Sequence, residues 1–264
     1  MRRRATTVLT LATTALALTG CAAGSGTAGA EGTGTLTVFA AASLAGTFTE
    51  IAGDFEADNP GVTVRLTFGG SADLVSQVSE GAPADVIATA DAATMTRLTE
   101  TGLVAGTGSV VFATNTLEIA VPADNPAGIR SFADLAAPGL ALVICAPQVP
   151  CGATTAAVAA AAGVRLTPVS EENSVTDVLG KVQSGEADAG LVYVTDVAAA
   201  GTDVLGIEFA ESTAVVNEYP IAVLAESTQS QPTRSVGSLA GDFTRFVTGP
   251  AGQAILREAG FGAP

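Results

Sequence analysis

Val38-Phe39-Ala40-Ala41-Ala42-Ser43-Leu44 is the stretch on which the fold turns, because an apolar run ends there in tiny residues and a hydroxyl just before helical spacing begins. The run from Leu36 to Ala40 reads as a buried strand, and Leu44, Phe48, Ile51 and Phe55 then recur with helical period up to Asn59-Pro60-Gly61. A strand feeding straight into a helix at a Ser N-cap leaves unpaired amides at the positive end of the helix dipole, beyond the strand's carboxyl end. That is a site for an anion.

The junction recurs along the chain. Val62 to Phe68 alternates as a strand before Gly69-Gly70-Ser71 and a helix carrying Leu74, Val75 and Val78. Asp85 to Thr89 is a third strand, with a helix over 93–101. Val110–Thr114 and Leu117–Val121 are strand-like, followed by the breakers Pro122 and Asn125-Pro126 and a helical segment at 131–135. Leu140 to Cys145 leads through Pro150-Cys151-Gly152 into the Ala-rich helix 153–162. Ser174 to Asp177 reads as a capping box that makes Val175 the first helical residue. Ala189 to Val194 is a strand bringing Tyr193 to its carboxyl end, Ile207–Ala210 is a short edge strand, Tyr219–Leu224 is the return crossing, and Phe243 starts a terminal helix. Repeated strand–helix units predict an α/β protein whose first part is a parallel lobe, and the length left after a leader predicts either two lobes or one large domain.

The first twenty residues carry Arg2, Arg3 and Arg4, an apolar stretch from Val8 to Leu18, and Leu18-Thr19-Gly20 before Cys21. This reads as an export signal ending in a lipoprotein cleavage site, with Cys21 as the lipidated first residue; an ordinary signal peptide is the alternative. Residues 21–34 read as anchor and flexible tether.

The whole chain has 11 basic and 26 acidic residues; without the three leader arginines, 8 against 26 leaves a net charge of −18. Such a surface repels nucleic acid. It also means that a bound anion must be held by dipoles and hydrogen bonds. There is no His, and Lys181 is the only lysine. With Cys21 assigned to lipid, Cys145 and Cys151 remain as a pair in an oxidising compartment and are expected to form a disulfide, closing a short loop for about 2 kcal/mol. A metal site is the competing use of the pair, and it lacks both His and a third mature Cys.

Taken together, Phe39-Ala40-Ala41-Ala42-Ser43-Leu44, Gly70-Ser71, Pro83-Ala84-Asp85-Val86 with Ala90-Asp91, Pro150 and Gly152, Asn173-Ser174-Val175 and Gly190-Leu191-Val192-Tyr193 resemble the extracytoplasmic molybdate-binding proteins of ABC uptake systems. The resemblance covers essentially the whole mature chain. It implies the type II periplasmic-binding-protein fold, α/β with two Rossmann-like lobes joined by a two-crossing hinge. The corresponding boundaries are 35–117 for lobe 1, 118–219 for lobe 2 and 220–264 for the return to lobe 1.

It further implies a solute-binding lipoprotein on the outer face of the cytoplasmic membrane. Such a protein captures molybdate or tungstate between the lobes and passes it, as a monomer, to an ABC permease. No cofactor and no metal cation are implied. Carried over by motif, the ligand donors are the hydroxyls of Ser43 and Ser71, the amides of Cys151 and Val175, and the hydroxyl of Tyr193. Cys151 stands where the family often has Ala, and Val194 follows the tyrosine where Gly is common. Sulfate, another tetrahedral dianion, is the alternative ligand.

Each residue also has a plainer use. Ser43, Ser71 and Ser174 can be helix caps, Tyr219 beside Pro220 reads as a core tyrosine with a satisfied hydroxyl, and Asp85 and Asp91 read as acceptors of backbone N–H groups. An enzyme is disfavoured: there is no His to act as base, no Gly-x-Ser-x-Gly elbow, and Val178 rather than Ser lies three residues before Lys181.

Overall fold

The computed structural model describes residues 34–106, 108–225 and 239–264. The expected signal peptide, the Cys21 anchor and the tether up to residue 33 lie outside the described residues.

From the amino end the elements are β1 (Gly34–Ala41), α1 (Ala45–Asp58), β2 (Val62–Gly69), α2 (Ser71–Ser79), β3 (Val86–Ala88), α3 (Ala92–Glu100) and β4 (Val110–Asn115). They continue as β5 (Leu117–Pro122), β6 (Leu142–Cys145), α4 (Pro150–Ala162), β7 (Ser170–Glu172), α5 (Val175–Gln183), β8 (Ala189–Tyr193), α6 (Val194–Ala200) and β9 (Val204–Ile207). The chain closes with β10 (Asn217–Val223), α7 (Leu239–Thr248) and α8 (Pro250–Glu258).

Among the described residues the strands form two five-stranded sheets, ordered β2-β1-β3-β10-β4 and β7-β6-β8-β5-β9. Both are built alike. In each, three parallel strands are joined by a fourth running antiparallel, and a fifth pairs antiparallel with the fourth. The first sheet is therefore mixed, not parallel as the repeated βα units predict. The antiparallel strand is β10, which comes back from the second sheet and enters from the opposite end.

Local chemistry explains the other departures from sequence expectation. Ser170-Glu171-Glu172 has no apolar run to mark β7, which lies at a sheet edge. The 131–135 segment is a 3₁₀ turn, Phe132–Ala136, where the Asp134 carboxylate accepts the amides of Arg130 and Ser131 at 2.9 Å each. The edge strand expected at 207–210 is β9, three residues earlier, because the chain turns at Ala210 into another 3₁₀ segment. Helix α6 begins at Val194, which the sequence assigned to the preceding strand.

An aromatic cluster holds the carboxyl-terminal helices on the first sheet. Phe243 of α7 meets Phe48 and Phe55 of α1 with ring centroids 6.2 and 5.2 Å apart, and Phe48 lies 5.8 Å from Phe112 of β4. All four rings are buried. Such edge-on pairs contribute about 0.5–1.5 kcal/mol each beyond area burial, which fixes α7 across β1 and β10.

The two sheets meet closely. The chain leaves the first at Asn115 and enters the second at Leu117; it returns ahead of Asn217. Asn115 and Asn217 are partners in the β4–β10 ladder. The Asn115 side-chain amide donates to Thr195 Oγ1 of α6 at 2.8 Å, and Asn217 Oδ1 accepts from Thr154 Oγ1 of α4 at 2.7 Å, while the Asn217 amide donates to the Ala90 carbonyl at 2.9 Å. At the other side of the cleft a Cβ on Gly70 would lie 1.9 Å from the Asn173 carbonyl oxygen. Gly70 has an ordinary φ of −61°, so the position needs glycine for the close approach alone.

Gly70→Ala is expected to disfavour this closed arrangement by about 1–3 kcal/mol, the usual range for overpacking against backbone. A lower melting temperature and a larger radius of gyration in small-angle scattering would register it; an unchanged scattering curve would show that the two corners do not meet in solution.

Candidate functional site

The carboxyl ends of β1, β2, β6, β7 and β8 converge on one small cavity of about 10 Å³. Its lining includes Ser43 after β1, Gly70 and Ser71 after β2, Pro150 and Cys151 after β6, Val175 after β7 and Tyr193 at the end of β8. All five side chains or amides expected from sequence are thus brought together, two from the first sheet and three from the second. β1 with β2, and β6 with β7, occupy equivalent places in the two sheets. The cavity therefore lies between matching strand ends, where open α/β sheets place their ligands.

Neither serine on the first sheet is a helix cap. The 3₁₀ turn Ala42–Leu44 separates β1 from α1 and has no side-chain cap, and Ser43 sits inside it with Oγ 3.0 Å from Tyr219 Oη. Ser71 is the first residue of α2 behind Gly70, and its Oγ accepts the Ala90 amide at 3.0 Å. Each oxygen makes one orienting contact, and that of Ser71, which accepts, leaves its proton over. Ser174 does cap: its Oγ accepts the Asp177 amide at 3.2 Å. The expected reciprocal half of the box is replaced, because the Asp177 carboxylate takes the Ser174 hydroxyl at 2.7 Å.

Cys151 and Val175 stand at the second and first positions of α4 and α5, where helix geometry offers their amides no intrahelical acceptor. Cys151 is bonded to Cys145, with Cα atoms 5.7 Å apart. The turn between them is so tight that a Cβ on Gly152 would lie 2.0 Å from the Ala146 carbonyl oxygen. This holds the start of α4 against the end of β6.

Tyr193 is 1% exposed, and its hydroxyl has no hydrogen-bond partner among the described residues. A buried hydroxyl left without a partner costs about 1–3 kcal/mol, and the polar neighbour felt most strongly by this one is Tyr219. Burial first, then the neighbouring Tyr219 and the negative charge of Asp196 and Asp91, push its titration well above the ordinary tyrosine range, so it is a donor at any physiological pH.

Among the described residues the lining carries no Lys, Arg or His. Lys181 is committed elsewhere, pairing with Glu172 and holding that carboxyl below its usual range. The nearby acids serve the backbone: Asp85 accepts the Thr37 amide at 2.8 Å, Asp91 the Thr94 amide at 2.7 Å and Asp196 the Tyr193 amide at 2.9 Å. The cavity therefore offers hydrogen-bond donors without a positive charge. Sequence reasoning missed Tyr219, Ala90 and Asp196 as neighbours of the site; only the three-dimensional pairing of β10 and β3 brings the first two close.

A family model described as bacterial extracellular solute-binding protein matches residues 36–262. The chain belongs to that family. Among its relatives is the molybdate-binding protein ModA of Mycobacterium tuberculosis, 50% identical over 234 residues that span 89% of this chain and 87% of the relative. The putative ABC transporter substrate-binding lipoprotein YvgL of Bacillus subtilis is 30% identical over 191 residues, 69% of this chain and 71% of the relative. Among solved structures, the periplasmic molybdate-binding protein of Azotobacter vinelandii superposes with a TM-score of 0.71 at 22% identity, covering 87% of this chain and 99% of that one. The fold is that of type II periplasmic binding proteins. Members of the family are solute-binding proteins, not enzymes.

Burial pushes the Asp196 carboxyl from 3.8 up to about 7. Between those values the unfolded chain has lost the proton that the folded protein still holds, so stability falls as pH rises through the window. Glu118, raised by burial and by Glu208, acts with the same sign. The melting temperature of the ligand-free protein should fall from pH 5 to pH 8, and Asp196→Asn, which keeps the acceptor for the Tyr193 amide, should flatten the slope; equal slopes would refute the assignment. The disulfide joins residues only six apart, so a Cys145→Ser, Cys151→Ser variant should keep its fold with a loss of about 2 kcal/mol while its ligand dissociates faster in stopped-flow measurements. An identical dissociation rate would mean that packing alone holds the turn.

Proposed function

We propose that this protein captures molybdate, and tungstate with it, in the cavity between its two sheets and delivers the anion to the permease of an ABC importer. The two sheets act as the lobes of a clamp, with Ser43 and Ser71 on one and Cys151, Val175 and Tyr193 on the other. Lipid on Cys21 anchors the protein, a monomer, to the outer face of the cytoplasmic membrane. The observation that carries this reading is the buried Tyr193 hydroxyl, without a hydrogen-bond partner and facing a cavity lined, among the described residues, by donors and no cation. Half-identity to a protein named for molybdate binding supports the choice of anion, and the likeness to a substrate-binding lipoprotein supports the anchor and the transporter.

The chemistry is capture without charge neutralisation. Donors fixed by strand ends and helix starts replace the anion's hydration shell without reorganising, and each bond to a charged acceptor contributes about 1.5–3 kcal/mol. Sulfate is the second reading, favoured by the compactness of the cavity, since it presents the same four oxygens on shorter bonds.

Calorimetry of residues 34–264 with molybdate, tungstate, sulfate and phosphate separates the cases. Molybdate and tungstate should bind, and at a hundred times the dissociation constant raise stability by about 2.7 kcal/mol. Phosphate should fail near neutral pH, because its remaining proton finds no acceptor, at a cost of about 1–3 kcal/mol. Ser43→Ala, Ser71→Ala and Tyr193→Phe should each weaken binding by about 1.5–3 kcal/mol. Phosphate binding as tight as molybdate, or three variants with unaltered affinity, would sink the proposal; sulfate binding alone would replace the ligand.

A further inference from the structure

Tyr219 lies outside the set of donors that line the cavity, yet its hydroxyl oxygen is 3.0 Å from Ser43 Oγ. It is completely buried, its ring held edge-on by Phe112 and Phe261 at 6.4 and 5.4 Å, and by Tyr193 at 5.9 Å. Burial, and then the charge of Asp196, raises its titration far beyond the ordinary range, so the phenol always carries its proton.

The direction of the Ser43–Tyr219 bond follows from a count of protons. A hydroxyl has one proton and can donate once. If Ser43 spent its proton on Tyr219, it would turn only lone pairs toward an anion, and the Tyr219 hydroxyl would be left to its other polar neighbours, Asn115 and Tyr193. If Tyr219 donates instead, the Ser43 proton is left for the cavity, which is what an anion there requires. Ser71 shows the same arrangement independently: its oxygen accepts the Ala90 amide at 3.0 Å, which leaves the Ser71 proton for the cavity.

We propose that Tyr219 is a specificity-determining residue: by donating its phenolic proton to Ser43 Oγ it occupies one of that oxygen's two lone pairs and leaves the Ser43 proton for the cavity, so that Ser43 favours an anion without a proton over one that carries it. The inference rests on the oxyanion reading of the cavity. It adds the reason why serines, which can accept as readily as donate, discriminate here against protonated oxyanions.

Tyr219→Phe keeps the ring and removes the proton that fixes Ser43. Wild type and variant are titrated with molybdate and with inorganic phosphate at neutral pH. Molybdate affinity should fall by about 3- to 10-fold, the equivalent of one ordinary hydrogen bond, while phosphate affinity rises because the Ser43 oxygen can now accept its proton. The ratio between the two anions should narrow by about tenfold or more. A tyrosine that merely props the core would lower both affinities by one factor, and that outcome, or no change at all, overturns the proposal. Wild type that fails to bind molybdate refutes the oxyanion reading itself, a distinguishable result.

Should the variant not fold, the unaltered protein supplies the test, because it has two tyrosines in all. With ζ-13C-labelled tyrosine, the Tyr219 hydroxyl proton should be protected from exchange with and without molybdate, and the Tyr193 proton only with it. A Tyr219 proton protected only in the presence of molybdate would point at the ligand instead of Ser43 and would overturn the assignment.

Discussion

The contact on which the rest depends is the meeting of two backbone corners, Gly70 of the β2–α2 turn against the Asn173 carbonyl before α5. Two helix starts can face one small cavity only if the backbones that carry them come this close, and a side chain on Gly70 would hold them apart. Close packing of the corners also excludes water, which is what gives neutral donors their strength. The acidic surface adds nothing to this, and with Lys181 turned toward Glu172 the cavity is electrostatically local.

The sheets share one plan, and that plan explains why the donors come in matched pairs. The ends of β1 and β2 supply the two serines; the ends of β6 and β7 supply the two amides. Hydroxyls appear where the chain crosses from strand to helix through a turn or a glycine, amides where the helix opens with a proline or directly behind a capping serine. Different local solutions give the same result, a proton aimed across the gap.

Most of the elements were legible because their apolar spacing is strong, and the five expected site residues could be named because motif and strand end coincide. What escaped did so for physical reasons. Ser43 reads as a cap because Ser before an apolar helical pattern commonly is one, and the 3₁₀ turn that carries it leaves no mark in the spacing. Tyr219 reads as core, and it is core; its second role depends on a hydroxyl meeting Ser43 across 176 positions of sequence. The mixed character of the first sheet was hidden because the strand that makes it mixed, β10, lies at the far end of the chain. β7 was invisible because polar residues form it.

The paired asparagines at the crossings constrain how the protein can move. Asn115 and Asn217 are neighbours in one ladder, so both connections between the sheets issue from a single point, and each asparagine is tied to a threonine on a different helix of the second sheet. Two adjacent tethers of this kind permit rotation about one axis, along the line that joins them, and resist sliding or splaying. Were the sheets to part about that line, the rim at Gly70 and Asn173, away from the tethers, would sweep the longest arc, and the donors of the second sheet would move away from the two serines as one set.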